Sequence, residues 1–365
     1  MKILVTGSEG YIGSVLVPYL IQRGHNVTGL DTGYYRGGWL FSNHAQQFPL
    51  CINMDIRNVA ENDLYGFDAI VHLAELSNDP LGQHNPELTY QINHLGTVEL
   101  AKKSIQAGVR RFVYTSSCSV YGAANSGDYK TEESETNPQT AYAHCKLLVE
   151  RDLSALAAKT FSPVFLRNAT AYGAAPRMRF DLVLNNLAGL AWTAKEIAMT
   201  SDGTPWRPLV HVRDIAHAIA CALEAPTKSI HKQIFNVGST AENYQVREIA
   251  QIVGAIFPDC RLSFEESDGD SRSYRVNFDK IHKFLPGFRC RIDAAFGARE
   301  LLDLFQRIQM SREEFEFPAF TRVKQLKHLL KTGQLDNAFY WRAEKPYPHG
   351  ENEWSRNKCG HVSAA

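Results

Sequence analysis

The segment Thr6-Gly7-Ser8-Glu9-Gly10-Tyr11-Ile12-Gly13 follows a short apolar run, Ile3-Leu4-Val5, and opens a helical pattern from Tyr11 to Arg23. Glycines three apart let the backbone turn tightly and approach a pyrophosphate, whose charge is favoured by the free amides and dipole of a helix start. Gly7, Gly10, Tyr11, Ile12 and Gly13 therefore read as a dinucleotide-binding loop. A second run, Asn26 to Leu30, ends at Asp31, 24 residues after Gly7. A carboxylate there accepts hydrogen bonds from the adenosine ribose hydroxyls and repels a 2′-phosphate, which favours NAD over NADP. Arg36 is the counter-indication, since an arginine five residues past Asp31 could bind that phosphate. Asp55-Ile56, at the end of a third strand, is placed to meet the adenine ring or to cap the strand.

The alternation continues with strands at Ala69 to Leu73, Arg111 to Tyr114 and Pro163 to Arg167, and helices near 86–107 and 141–158. This pattern predicts an α/β fold: a doubly wound parallel-sheet Rossmann domain with a smaller C-terminal α/β substrate lobe. Residues 1–168 form the first unit. Residues 206–240, with the strand Leu209-Val210-His211-Val212, the helix from Asp214 and the run Gln233 to Val237, return to it. Residues 169–205 and 241–340 form the lobe, and 341–365 a polar C-terminal arm.

The 365 residues carry 39 Lys+Arg against 39 Asp+Glu, so the chain has no electrostatic footprint for nucleic acid or an anionic membrane. No apolar run approaches a membrane span, and Lys2-Ile3-Leu4-Val5 is too short for a signal-peptide core; a cytoplasmic location is expected. The seven cysteines show no paired Cys-x-x-Cys spacing, and reduced thiols are expected. His72, His144 and His211 are scattered and form no ligand set, so no metal is expected.

In Tyr142-Ala143-His144-Cys145-Lys146, a helical spacing of four stacks Tyr142 and Lys146 on one face. A phenol ordinarily ionises near pH 10, and a nearby ammonium together with a cationic nicotinamide favours the phenolate. Lys146 could also hydrogen-bond the nicotinamide ribose. Thr115-Ser116-Ser117-Cys118-Ser119 follows a strand, at the carboxyl edge where open α/β sheets bind ligands. A hydroxyl there can hold a substrate oxygen and relay its proton to Tyr142.

With these motifs in order, the sequence resembles the extended short-chain dehydrogenases/reductases, and within them the nucleotide-sugar group of UDP-galactose 4-epimerase. The likeness runs over roughly residues 1–300 and adds His72-Leu73-Ala74, Asn93, Arg167, Tyr172-Gly173 and Arg207 to Asp214. It implies Ser117, Tyr142 and Lys146 as the catalytic set. It further implies Leu73, Ala74 and Asn93 as NAD neighbours and Arg207 as a clamp on the sugar-nucleotide diphosphate. Arg177, Arg179 and Arg272 are further diphosphate candidates or exposed charges. Pairing of the helices near 86–107 and 141–158 between two copies is also implied, with Leu95, Val98, Leu100, Leu147 and Leu148 as apolar contacts.

Three departures narrow the expectation. The 4,6-dehydratases of this group carry Asp-Glu where Cys118 and Ser119 stand, so loss of water is not expected, and both positions become substrate neighbours. Thr170 replaces a customary asparagine, with Asn168 close by. Glu75 is unlike the epimerase pattern and could be an acid/base, a hydroxyl ligand or a loop cap. The resemblance implies an NAD-dependent nucleotide-diphospho-sugar epimerase acting at carbon 4 through a keto intermediate. The alternatives are an NAD(P)H-dependent 4-keto-sugar reductase with the same triad, and a non-catalytic dinucleotide-binding scaffold.

Overall fold

The apolar runs become strands wherever a β-branched or aliphatic segment can be buried on both faces. The computed structural model describes residues 1–41, 49–77, 85–123, 128–265 and 273–342. Its first seven strands are β1 (Lys2–Thr6), β2 (Asn26–Asp31), β3 (Cys51–Asn53), β4 (Ala69–His72), β5 (Arg111–Ser117), β6 (Tyr129–Lys130) and β7 (Ser162–Asn168). There follow β8 (Thr170–Tyr172), β9 (Glu196–Met199), β10 (Trp206–His211), β11 (Ile234–Val237), β12 (Asn243–Gln245), β13 (Arg261–Phe264) and β14 (Arg275–Val276).

Seven of these form one parallel sheet in the order β11-β7-β5-β4-β1-β2-β3. Along β1, Ile3 and Val5 face a core shared with the helices Gly13–Gln22 and Val212–Glu224, while Leu4 faces the opposite core with Leu100, Val149 and Leu153. The winding reverses between β1 and β4, which makes the carboxyl edge of these strands the switch point where such sheets bind ligands. The glycine loop leaves β1 there, and Leu73-Ala74-Glu75 leaves β4.

Three features differ from the sequence reading. β10 does not return to the large sheet: it lies in a three-stranded sheet, β12-β10-β8, because β11 occupies the edge beside β7. The third strand stops at Asn53, and Asp55 instead caps a 3₁₀ turn, Ile56–Asn58. The helix Arg322–Lys331 and the turn after it, assigned by sequence to the lobe, pack on the dinucleotide half. Leu326, Leu329, Leu335 and Phe339 share a core with Leu30, Tyr34, Ile56 and Leu64. Among the described residues the β2-to-β3 connection supplies no α-helix, so the C-terminal helix covers that end of the sheet.

Candidate active site

A cavity of about 850 Å³ opens at the switch point. It is lined by Gly7, Gly10, Tyr11, Ile12, Gly13, Asp31, Asp55, Ile56, Leu73 and Ala74, and also by Glu75, Ser117, Ser119, Tyr142, Lys146, Asn168, Thr170, Arg179 and Arg207. The glycine loop is shaped so that side chains cannot enter it. Gly7 has φ +73°, and a Cβ there would lie 2.8 Å from the Ala74 nitrogen; one on Gly13 would lie 2.4 Å from the Gly7 oxygen. The bare backbone this leaves fits a dinucleotide diphosphate.

Asp31 Oδ2 accepts from the Glu9 amide at 3.0 Å and Oδ1 from the Gly33 amide at 2.8 Å, which fixes the carboxyl at the end of β2. Burial pushes this carboxyl up, with Glu9 adding to the effect. Arg36 is drawn to Glu9, Nη2 to Oε2 at 2.8 Å, so its charge is already met. Both Asp55 oxygens are taken by the Arg57 side chain, at 2.9 and 2.7 Å.

Thr140 caps the helix Ala141–Leu156 through the Ala143 amide, which sets Tyr142 in its first turn and Lys146 one turn later. The Lys146 ammonium lies 5.3 Å from the Tyr142 ring centre, donates to the Thr115 carbonyl at 2.5 Å, and pairs with the Glu75 carboxylate. Tyr114 Oη donates to the other Glu75 oxygen at 2.7 Å. Burial alone would push the Lys146 ammonium down, but Glu75 reverses this and holds it above its ordinary value. For Glu75, burial raises the carboxyl and Lys146 only partly offsets it.

Ser117 Oγ accepts from the Ser119 amide at 3.1 Å and caps the turn Cys118–Tyr121. Ser119 Oγ and Asn168 Oδ1 are buried in this wall without a hydrogen-bond partner among the described residues. Such atoms are rare unless a ligand meets them. Beneath them Arg167 is bidentate to Glu150 at 3.0 and 2.7 Å, Ser116 donates to Glu150 at 2.5 Å, and Arg167 donates to Tyr121 Oη at 3.0 Å. This floor holds the carboxyl ends of β5 and β7 to the Tyr142 helix.

Several sequence candidates lie elsewhere. A π-helical turn, Tyr90–Gly96, carries Asn93 inward, and its amide is fully engaged with the Leu76 backbone at 2.9 and 3.1 Å. Asn93 thus shapes the loop after β4 rather than lining the cavity. Cys118 turns under the sheet, its Sγ 3.2 Å from the Arg167 carbonyl, and does not line the cavity. Arg177 also stays outside the lining: its Nη1 donates to the Tyr35 and Arg36 carbonyls, and its guanidinium lies 4.3 Å from the Trp39 ring centre. Arg272 is outside the described residues. Conversely, Tyr34, Tyr35, Thr321, Arg322 and Val323 line the cavity without having been singled out. Their only sequence signal is the apolar spacing of Leu326 and Leu329, which marks a packed helix but not its location.

The model of the NAD dependent epimerase/dehydratase family matches residues 3–238. A UDP-glucose 4-epimerase of Mycolicibacterium smegmatis is 30% identical over 328 residues, covering 84% of this chain and 99% of that protein. One from Corynebacterium glutamicum is 29% identical over 270 residues, 69% of this chain and 79% of its own. Among solved structures, MoeE5 in complex with UDP-glucuronic acid and NAD superposes with a TM-score of 0.73 at 26% identity, covering 84% of this chain and 99% of that one.

Proposed function

This chain belongs to the NAD-dependent epimerase/dehydratase family, and we propose that it interconverts two nucleotide-diphospho-sugars, most simply UDP-hexoses, at carbon 4. The observation that carries this reading is that Ser117, Tyr142 and Lys146 line the same cavity as the glycine loop and Asp31. When bound there, NAD supplies the hydride acceptor and donor for carbon 4. Ser117 holds the 4-hydroxyl and passes its proton to Tyr142. Lys146 favours the phenolate by its charge. Ser119, Asn168 and Thr170 hold the sugar, and Arg207 faces its diphosphate.

Loss of water is disfavoured on the same geometry. The two positions after Ser117 carry no carboxyl, and Cys118 lies in the core, where burial pushes its thiol far up. The test is to denature the purified protein, identify the released small molecules by mass spectrometry, and then offer a panel of nucleotide hexoses. Released NAD and a converted pair are expected; neither would be seen if the cavity served another chemistry.

We further propose a cytoplasmic homodimer paired through the helices Thr97–Gln106 and Ala141–Leu156. Leu95 is 54% exposed beside them and is available to a second copy, whereas Leu100 is buried in its own core. His94 and Asp152, 2.7 Å apart, tie this face together within one chain. Light scattering at micromolar concentration should give twice the chain mass; a monomer defeats the proposal.

A further inference from the structure

The family model ends at residue 238, yet a segment far beyond it closes the dinucleotide cavity. From the helix Arg322–Lys331, Gln325 donates to the Tyr34 carbonyl at 3.0 Å. Farther on, the Phe339 carbonyl accepts from Tyr34 Oη at 2.5 Å, and Trp341 Nε1 donates to the Thr32 carbonyl at 2.7 Å. Arg57 donates to the Ala338 carbonyl at 2.9 Å and lies 4.0 Å from the Tyr340 ring centre. Every one of these anchors falls just after Asp31 or Asp55, so the segment is fastened around the adenosine end.

Its N-terminal edge reaches the cavity itself. Arg322 is 4% exposed, its guanidinium 3.8 Å from the Tyr35 ring centre, and its amide faces Asp181 Oδ2 at 3.4 Å. Asp181 is bidentate to Arg179 at 3.0 and 3.1 Å, and Arg179 Nη1 lies 3.4 Å from the Ser77 carbonyl. Arg322 therefore stands beside the segment that follows the end of β2, and Arg179 beside the segment that follows the end of β4. Between those ends, over the glycine loop, a bound dinucleotide must carry its diphosphate. Asp181 and Asp31 both act on Arg322, and a diphosphate would add charge-assisted hydrogen bonds from the two buried guanidiniums.

We propose that Arg322 is a ligand to the cofactor diphosphate, delivered by the C-terminal segment, which thereby locks the dinucleotide in place between half-reactions. The proposal rests on the NAD-dependent reading above.

The experiment compares full-length wild type with Arg322→Gln and Arg322→Lys, titrating NADH by fluorescence and competing it with ADP-ribose or adenosine. Arg322→Gln should weaken NADH and ADP-ribose by about tenfold or more while leaving adenosine within about twofold, and Arg322→Lys should recover part of the loss. Should Arg322→Gln fail to fold, hydrogen exchange on wild type replaces it. Residues 318–331 should then gain protection with ADP-ribose and not with adenosine. Unchanged affinity in Arg322→Gln, equal losses for adenosine and ADP-ribose, or no added protection overturns the proposal while the NAD-dependent reading stands. Failure of wild type to bind NADH or ADP-ribose overturns both.

Discussion

The Lys146 ammonium and the Glu75 carboxylate form an ion pair shut away from solvent, their side chains 4% and 2% exposed. Glu75 lies three residues past the end of β4 and Lys146 one helical turn from Tyr142, so the pair couples the loop after β4 to the proton-transfer group. The carboxylate keeps the buried Lys146 ammonium charged, and that charge favours the Tyr142 phenolate. Replacing Glu75→Gln keeps the shape and leaves burial to push the ammonium down. The acid limb of the pH–kcat profile should then move to higher pH by about one unit. A limb that stays in place would show that Glu75 does not modulate the proton-transfer group.

Removing only the phenolic oxygen separates chemistry from binding. Tyr142→Phe should lower kcat by about 10²- to 10⁴-fold, while NADH titration stays within about twofold of wild type. Turnover within about threefold of wild type would remove Tyr142 from the role of proton carrier.

The Arg167–Glu150 pair is the floor of the site, each side chain 5% exposed. Glu150→Ala would leave a buried guanidinium without its partner and should cost about 3–5 kcal/mol in urea unfolding. A loss below about 1 kcal/mol would mean that water or a shifted Tyr121 satisfies Arg167.

His72 gives a pH signature of the fold rather than of the chemistry. It is fully buried between Thr6 Oγ1 at 2.7 Å and Thr97 Oγ1 at 2.8 Å, and burial, aided by Lys146, pushes it down to about 3. The unfolded chain therefore binds a proton below about pH 6.5 that the folded chain refuses. Stability from this group is complete above that pH and is lost as pH falls toward 3, at up to about 1.4 kcal/mol per unit. Unfolding measured at pH 7 and pH 5 should show a shallower pH dependence in His72→Asn than in wild type. Equal slopes would contradict the assignment.

What the sequence made legible was what local spacing encodes. Gly7 and Gly13 mark a backbone that no Cβ can enter, and the step from Tyr142 to Lys146 is one helical turn, so both could be read without knowing their neighbours. The strand runs were legible because a parallel sheet buries both faces. Features set by packing between distant segments were not. β10 is displaced from the large sheet by β11, which its own sequence cannot announce. Asn93 is turned inward by a π-helical turn, and Cys118 by the tight turn after Ser117, so residues adjacent to lining positions miss the cavity. Arg322, 291 residues from Asp31, reaches the cavity because the helix behind it packs on the β2–β3 end of the sheet.

The central claim is that hydride leaves and re-enters carbon 4 without the cofactor leaving the protein. The direct measurement incubates the purified protein, with nothing added, with UDP-, GDP-, CDP- or dTDP-hexoses. A parallel mixture offers a 4-keto-6-deoxy nucleotide sugar with NADH or NADPH. The account predicts that a UDP-hexose is converted to its carbon-4 epimer in the first mixture, with no requirement for added NAD. Turnover confined to the second mixture, consuming reduced cofactor in step with the keto sugar, would contradict it and make the Ser117, Tyr142 and Lys146 site that of a reductase.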